Sequence, residues 1–143
     1  NEPTRPLVLL ADDDIEIRTL VRYALEPLDC DIIEASDGEL ALEQILIEAP
    51  DLVVLDVMMP GLTGWEVCKY IRQRENYDHI LILMLTAVGE EVNDLTAPLY
   101  GADMHLDKPF DMDEMEATVK TLLAQGRSHK GRAQSASNGD DEE

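Results

Sequence analysis

Groups that can bind or transfer phosphate follow four of the five short strands that this sequence predicts. Asp12 and Asp13 come directly after the first strand, Asp56 after the third, Thr86 after the fourth and Lys108 after the fifth. Converging carboxylates repel one another unless a cation offsets their charge, and a set of oxygen ligands suits Mg²⁺. One carboxylate could then form an acyl phosphate, with the lysine and the hydroxyl holding the phosphoryl oxygens. The residue types therefore predict a magnesium-dependent phosphoryl acceptor.

The elements that must position these residues alternate between strands and helices. The predicted strands cover residues 7–11, 30–35, 52–55, 80–85 and 104–107. The predicted helices cover residues 15–26, 38–48, 63–74, 89–99 and 112–124. The third and fourth strands are continuously apolar, which indicates a parallel sheet covered by helices on both faces. Right-handed crossovers then give a doubly wound α/β domain with its site at the carboxyl ends of the strands.

Capping chemistry places two of the helix starts. Thr63 followed three residues later by Glu66 forms a capping box. Asp14 stands just before a helical segment, and we interpret it as a helix cap rather than as part of the acidic site. Pro98 lies inside the segment 89–99 and removes a backbone donor, so we expect that helix to be short or kinked.

Composition limits the classes of partner. The 143-residue chain has a formal net charge of -20 and therefore repels phosphate backbones, so we expect no nucleic-acid binding through this domain. No apolar run approaches the roughly 18 residues that cross a bilayer. The N-terminus has no apolar signal region. We therefore expect a cytoplasmic protein that does not contact a membrane.

The last residues differ sharply in composition from the rest of the chain. Residues 126–143 are rich in Gly, Ser and charge, which predicts a disordered tail or the start of a linker. The ordered domain should therefore cover residues 6–125. The two cysteines, Cys30 and Cys68, match neither a disulfide framework nor a zinc motif, and we interpret them as packed free thiols.

Four motifs occur in an order and spacing that match a known family. They are LLADDD, LVVLDVMMPGLTG, ILMLTA and GADMHLDKPF. Together they resemble the CheY-like receiver domains of two-component response regulators, over roughly residues 6–125. The resemblance implies a flavodoxin-like sheet of five parallel strands in the order 2-1-3-4-5. It also implies a regulatory domain that catalyses only its own phosphorylation and dephosphorylation, rather than an enzyme.

The resemblance implies roles for the acidic residues. Asp56 would be the phosphoacceptor, and Asp13 and Asp56 would ligate Mg²⁺ through their carboxylates. The main-chain carbonyl of Met58 would be a further ligand, and Asp12 would complete the metal pocket through a water molecule. Mg²⁺ is the cofactor that this set of residues implies.

The resemblance also implies a conformational switch. Thr86 would move to bond the phosphoryl group, Lys108 would pair with it, and the Lys108–Pro109 peptide resembles one that is usually cis in the family. His105 stands where the family usually has Tyr or Phe, a ring that swings inward when the threonine moves. Histidine is smaller and can titrate near neutral pH, so either it replaces the aromatic switch residue or it is an inert surface side chain.

The expected partners follow from the same resemblance. The phosphoryl donor would be a phosphohistidine on a sensor histidine kinase or on a histidine phosphotransfer protein. An output partner or attached domain, which the sequence does not name, would read the face built from the fourth helix, the fifth strand and the fifth helix. Formation of a homodimer on phosphorylation is left open.

Two apolar residues depart from the polar residues that relatives often carry beside the hydrolytic water. Met58 lies two residues beyond the acceptor, and Val88 lies two residues beyond the threonine. Neither side chain hydrogen-bonds water well. We therefore expect slow hydrolysis of the phosphorylated form.

Two other functions compete with this interpretation. A haloacid-dehalogenase-like phosphatase would use Asp12 as its nucleophile, and Asp12-Asp13-Asp14 satisfies the Asp-x-Asp signature of that family. However, Glu16 stands where that family usually has Thr or Val. The second alternative is an inert receiver-like binding module, which the complete set of phosphoryl-binding groups disfavours.

Overall fold

The computed structural model describes residues 5–87 and 101–141, and the side chains of residues 5–87 and 101–126. Its strands are β1 (Leu7–Ala11), β2 (Asp31–Ala35), β3 (Leu52–Asp56), β4 (Leu81–Thr86) and β5 (Met104–Asp107). Its α-helices are α1 (Ile15–Leu25), α2 (Gly38–Glu48), α3 (Gly64–Arg72) and α4 (Met112–Asp141), and a single 3₁₀ turn covers Glu75–Tyr77. The predicted helix 89–99, with Pro98, and Val88 lie outside the described residues.

The five strands form one parallel sheet in the order β2-β1-β3-β4-β5. Every residue of β3 and β4 is buried, whereas the edge strands β2 and β5 contain exposed residues. Continuous burial of the inner strands explains their uninterrupted apolar sequences, because helices cover both faces there. The predicted doubly wound α/β fold and its strand order are therefore confirmed.

Alternation along the strands divides the core into two layers. Leu9 and Val53 pack with buried residues of α2 and α3 on one face of the sheet. Val8 and Val54 pack on the other face with buried residues of α1 and α4. Each fully buried aliphatic side chain of this size stabilises the fold by about 1.5–3 kcal/mol. The two layers fix the sheet between the helices and hold its carboxyl edge in place.

The predicted helix starts agree with the observed caps. Thr63 and Glu66 form both hydrogen bonds of the capping box at the start of α3. Asp14 caps α1, where its Oδ1 accepts a hydrogen bond from the Glu16 N–H at 2.9 Å. Both assignments are confirmed, so Asp14 serves the helix in this structure.

The last helix differs from the prediction in length. The sequence predicts that it ends near residue 124, whereas α4 continues to Asp141. Gly126 is buried against β4, and a Cβ added there would lie 2.9 Å from Leu81 Cδ1. The division into an ordered domain over residues 6–125 and a tail over residues 126–143 stays a prediction.

The two cysteines are both buried and both free, as predicted. Burial raises the pKa of the Cys68 thiol to about 12, and it also raises the pKa of Cys30. The thiols are therefore held in their protonated, unreactive form near neutral pH. Among the described residues, none of the helices is both long and apolar enough to traverse a bilayer.

Candidate functional site

Strand register brings the predicted site residues to one edge of the sheet. Ala11 of β1 lies beside Leu55 of β3, so Asp12 and Asp56 follow as neighbours. Asp56 in turn lies beside Leu85, the residue before Thr86 at the end of β4. Residues far apart in the chain therefore meet because parallel neighbouring strands end at the same edge.

Three carboxylates converge at this edge. Asp12, Asp13 and Asp56 each offer an oxygen, and these oxygens lie within 4.8 Å of one another. Asp12 and Asp56 are buried, Asp56 with only 4% of its surface exposed, whereas Asp13 is exposed. We call these three residues the acidic side of the site. An all-oxygen donor set with one solvent-facing member fits a hard divalent cation that retains some water.

Lys108 bridges the two buried carboxylates. Its Nζ donates hydrogen bonds to Asp12 Oδ2 and to Asp56 Oδ1, each at 3.0 Å. Burial alone would lower the pKa of Lys108, but its bonds to the two carboxylates outweigh burial and raise it. The lysine is therefore held charged beside Asp56, where a phosphoryl group would be attached.

One ammonium group does not offset the negative charge of the acidic side. Burial, and after it the charge of Asp12, raise the pKa of Asp56 to about 6, although Lys108 opposes both effects. Burial likewise raises the pKa of Asp12, against a hydrogen bond from the Asp14 N–H and the contact with Lys108. A site in which ionisation of the carboxyls is costly has an excess of negative charge that a cation would relieve.

The peptide of Asp12 is held at both of its ends. Its N–H donates to the Ala35 carbonyl at 3.2 Å, and its carbonyl accepts a hydrogen bond from Arg18 Nη1 at 2.7 Å. Arg18 Nε donates to Glu34 Oε1 at 2.8 Å, which fixes the guanidinium between α1 and β2. Sequence reasoning missed Arg18 and Glu34. Arg18 lies one helical turn after the three aspartates, which could have indicated that its side chain is near them. Nothing in the sequence pairs Arg18 with Glu34.

The start of α3 packs closely against the end of β3. The Gly64 N–H donates to the Val57 carbonyl at 2.8 Å. A Cβ on Gly64 would meet the main-chain carbonyl oxygen of Asp56 and the Cα of Val57. Only a residue without a side chain allows this approach, so Gly64 helps to fix the backbone that carries Asp56.

On the other flank, Thr86 contacts a residue that the sequence analysis did not single out. Thr86 is buried, and its Oγ1 donates a hydrogen bond to Asp107 Oδ1 at 2.7 Å. His105 Nε2 lies 3.7 Å from the same oxygen. We call these three residues the threonine side of the site. The side chain of His105 is only 13% exposed, so it does not lie freely on the surface, and the choice between a switch residue and an inert side chain stays a prediction.

Two further predictions concern the loops beside the site. The Lys108–Pro109 peptide is cis, as predicted. Met58 has 60% of its surface exposed and lies two residues after Asp56, in the segment that leads towards α3. Its main-chain carbonyl as a metal ligand stays a prediction.

Comparison with known proteins agrees with this geometry. The sequence profile of the response regulator receiver domain matches residues 8–120, most of the chain. The chain belongs to the response regulator receiver family. The match covers every residue of the acidic and threonine sides together with Lys108, so the receiver domain contains the whole candidate site.

Two curated relatives show how the receiver domain compares with longer proteins. It is 47% identical over 116 residues to the alkaline phosphatase synthesis transcriptional regulatory protein PhoP of Bacillus subtilis, covering 81% of this chain and 48% of PhoP. It is 40% identical over 118 residues to the DNA-binding dual master transcriptional regulator RpaA of Synechocystis, covering 82% of this chain and 49% of RpaA. The chain thus spans about half the length of these curated relatives.

Solved structures of similar chains give the same fold. The chemotaxis response regulator CheY4 of Vibrio cholerae is 32% identical, with a TM-score of 0.75 over 83% of this chain and 99% of that chain. The receiver domain of the Francisella response regulator 1452 is 33% identical, with a TM-score of 0.76 over 85% of this chain and 98% of that chain. The similarity therefore extends over almost the whole length of both neighbours.

Proposed function

We propose that this receiver domain is a phosphoacceptor switch that takes a phosphoryl group onto Asp56 with Mg²⁺. The observation that carries the proposal is the convergence of three carboxylates within 4.8 Å, with Lys108 bonded to the buried pair. The proposed donor is a phosphohistidine on a sensor histidine kinase or a histidine phosphotransfer protein. Membership of a regulatory family supports this function over general enzymatic turnover.

The acidic side supplies the proposed metal ligands. Asp13 and Asp56 would hold Mg²⁺ through carboxylate oxygens, the main-chain carbonyl of Met58 would add a ligand, and Asp12 would act through a water molecule. When bound, Mg²⁺ would offset the carboxylate charge and that of the incoming phosphoryl oxygens. The raised pKa of Asp56 supports this proposal, because burial and the charge of Asp12 make its ionisation costly, and a bound cation would favour the ionised form.

The proposed chemistry is an in-line displacement at phosphorus. A carboxylate oxygen of Asp56 attacks, the new oxygen–phosphorus bond forms, and the nitrogen–phosphorus bond of the donor breaks with its electron pair returning to the imidazole. Lys108 would exchange its bond to Asp56 for one to a phosphoryl oxygen. Thr86 would donate its hydroxyl to another phosphoryl oxygen, and its movement would alter the face that a partner reads.

The alternatives receive less support from the contacts. A phosphatase would need the Asp12 carboxylate as its nucleophile, but both of its oxygens accept hydrogen bonds, Oδ1 from the Asp14 N–H and Oδ2 from Lys108. An inert binding module would not need two buried carboxylates, whose desolvation opposes folding. The phosphoacceptor function explains both features.

The test is phosphorylation by a small-molecule donor. The chain is treated with acetyl phosphate and Mg²⁺, and intact mass and peptide mapping locate the modification. We expect one phosphoryl group on Asp56, its loss in Asp56→Asn, and its retention in the matched control Asp14→Asn. The Asp14 side chain caps α1, and the substitution keeps the main-chain N–H that bonds Asp12. Modification of Asp12 would instead support the phosphatase. A failure to gain mass under any condition would support the inert module.

The proposed switch also needs a partner or domain that responds to it. Relatives of twice the length are named as transcriptional regulators, so we propose that a partner or attached domain reads the phosphorylated state. The whole chain has a net charge of -20, so we do not expect it to bind nucleic acid itself. A cytoplasmic location and a homodimer on phosphorylation stay predictions.

A further inference from the structure

The hydroxyl group of Thr86 is already engaged in this structure. Register pairs Thr86 of β4 with Asp107 of β5, so the two side chains stand side by side on one face of the sheet. The Thr86 hydroxyl donates to Asp107 Oδ1 at 2.7 Å, a short bond to a charged acceptor. The function proposed above requires the same hydroxyl to bond a phosphoryl oxygen.

A threonine hydroxyl carries one hydrogen and can donate it to one strong acceptor at a time. The bond to Asp107 and a bond to the phosphoryl group therefore compete. We infer that Asp107 is a positioning residue that holds Thr86 in the unphosphorylated arrangement. It thereby weakens binding of a phosphoryl group by the free energy of its hydrogen bond with Thr86. This inference rests on the proposed role of Thr86.

The position of Asp107 makes such a hold reversible. Its side chain is 76% exposed, so water can solvate the carboxylate once Thr86 has left. Thr86 is buried and depends on a protein or phosphoryl acceptor for its hydroxyl hydrogen. When the Thr86 hydroxyl exchanges its hydrogen bond to Asp107 for one to a phosphoryl oxygen, both the hydroxyl and the Asp107 carboxylate therefore still have a partner.

Asp107 also connects Thr86 to the proposed switch histidine. His105 Nε2 lies 3.7 Å from the oxygen that accepts the Thr86 hydroxyl. His105 is two residues before Asp107 on β5, so the two side chains point to the same face of the strand. Release of this oxygen by Thr86 would change the surroundings of His105, which links the site to a side chain on the proposed output face.

The experiment measures how tightly the protein binds a phosphoryl mimic. Wild-type protein, Asp107→Ala and Asp107→Asn are titrated with beryllium fluoride in the presence of Mg²⁺, and fluorine NMR follows the bound species. We expect Asp107→Ala to bind about 10-fold more tightly, because a two-state equilibrium shifts by the free energy of the lost bond. The logarithm of the gain in affinity should be less than half as large for Asp107→Asn, because its amide oxygen can still accept the hydrogen bond from the Thr86 hydroxyl.

The background variant Thr86→Val separates the hydroxyl from other effects. In that background, Asp107→Ala should leave the affinity within about 2-fold of that of Thr86→Val alone, since a double-mutant cycle isolates the pair. Unchanged affinity in Asp107→Ala, equal gains in both Asp107 variants, or a full gain in the Thr86→Val background would each overturn the inference. Failure of the wild-type protein to bind the mimic at Asp56 would instead overturn the proposed function, and the inference with it.

Discussion

The acidic side of the site and its threonine side differ in how their polar groups are held. On the acidic side, Asp12 and Asp56 are buried and share Lys108, and the Asp12 peptide is bonded at its N–H and at its carbonyl. On the threonine side, the buried Thr86 donates to Asp107, a carboxylate that is mostly exposed to solvent. Both sides lie at the same edge of one sheet.

The difference fits the function proposed for each side. A carboxylate that attacks phosphorus in line must be held in position before the donor arrives, because small displacements cost reaction rate. A group that responds to phosphorylation must have two arrangements of similar free energy. Several bonds in a buried setting serve the first purpose, and exchange of a bond with a solvated carboxylate serves the second.

The largest expected effect comes from forcing α3 away from β3. Gly64→Ala would place a Cβ against the main chain of Asp56 and Val57, and we expect a loss of about 2–3 kcal/mol in the free energy of unfolding. Urea denaturation measures it. The control is Gly126→Ala, whose Cβ would meet the flexible end of the Leu81 side chain and should change stability less. Equal losses in the two variants would mean that α3 does not hold the end of β3 tightly.

A smaller effect on the free energy of unfolding is expected from removing the charge of Asp56. The folded-state pKa of Asp56 is raised from 3.8 to about 6, so folding favours the protonated carboxyl. The contribution of this carboxyl to the free energy of unfolding is full below pH 3.8 and is lost as the pH rises through about 6. Without Mg²⁺, Asp56→Asn should therefore stabilise the protein near neutral pH, by about 1–3 kcal/mol.

Denaturation at two pH values, with and without Mg²⁺, checks this prediction. The gain from Asp56→Asn should shrink as the pH falls towards 4, because the wild-type carboxyl then becomes neutral. It should also shrink in saturating Mg²⁺, which stabilises the ionised acidic side of the wild type. A destabilised variant, or a gain that grows with acidity, would contradict the described electrostatics.

The next prediction concerns the arginine behind the acidic side. Arg18 contacts the Asp12 carbonyl and Glu34, whereas Arg22 also binds Glu34 but has no described contact with Asp12. A lysine cannot bridge both groups in this planar way, so Arg18→Lys should weaken Mg²⁺ binding about 10-fold. Arg22→Lys, the matched control, should bind Mg²⁺ as the wild type does. Isothermal titration calorimetry distinguishes them, and equal affinities would remove the role of Arg18 in holding the acidic loop.

The smallest expected effect concerns loss of the phosphoryl group. Met58, two residues after Asp56, exposes an apolar side chain that offers water no good hydrogen bond. The phosphorylated Met58→Asn variant should therefore be hydrolysed several-fold faster than the phosphorylated wild type. Decay of radiolabel after phosphorylation with a small-molecule donor measures this rate. Decay at the wild-type rate would show that this position does not govern access of water.

The fold could be predicted largely from local patterns. The continuously apolar segments that became β3 and β4 reflect burial on both faces, and the capping box of Thr63 and Glu66 marks the start of α3. Local patterns placed the end of the last helix near residue 124, whereas α4 continues to Asp141. Propensity describes short-range preference, and it does not by itself decide where a helix ends.

The amino-acid sequence by itself determined which chemical groups follow the strands and that these strands lie in a covered parallel sheet, because burial and periodicity are written into local sequence. Only the tertiary structure decided which side chains touch: Lys108 with both buried aspartates, Arg18 with the carbonyl of Asp12, and Thr86 with Asp107. These contacts depend on strand register and on the approach of α1 to β2. Both arise from long-range packing that no local pattern encodes.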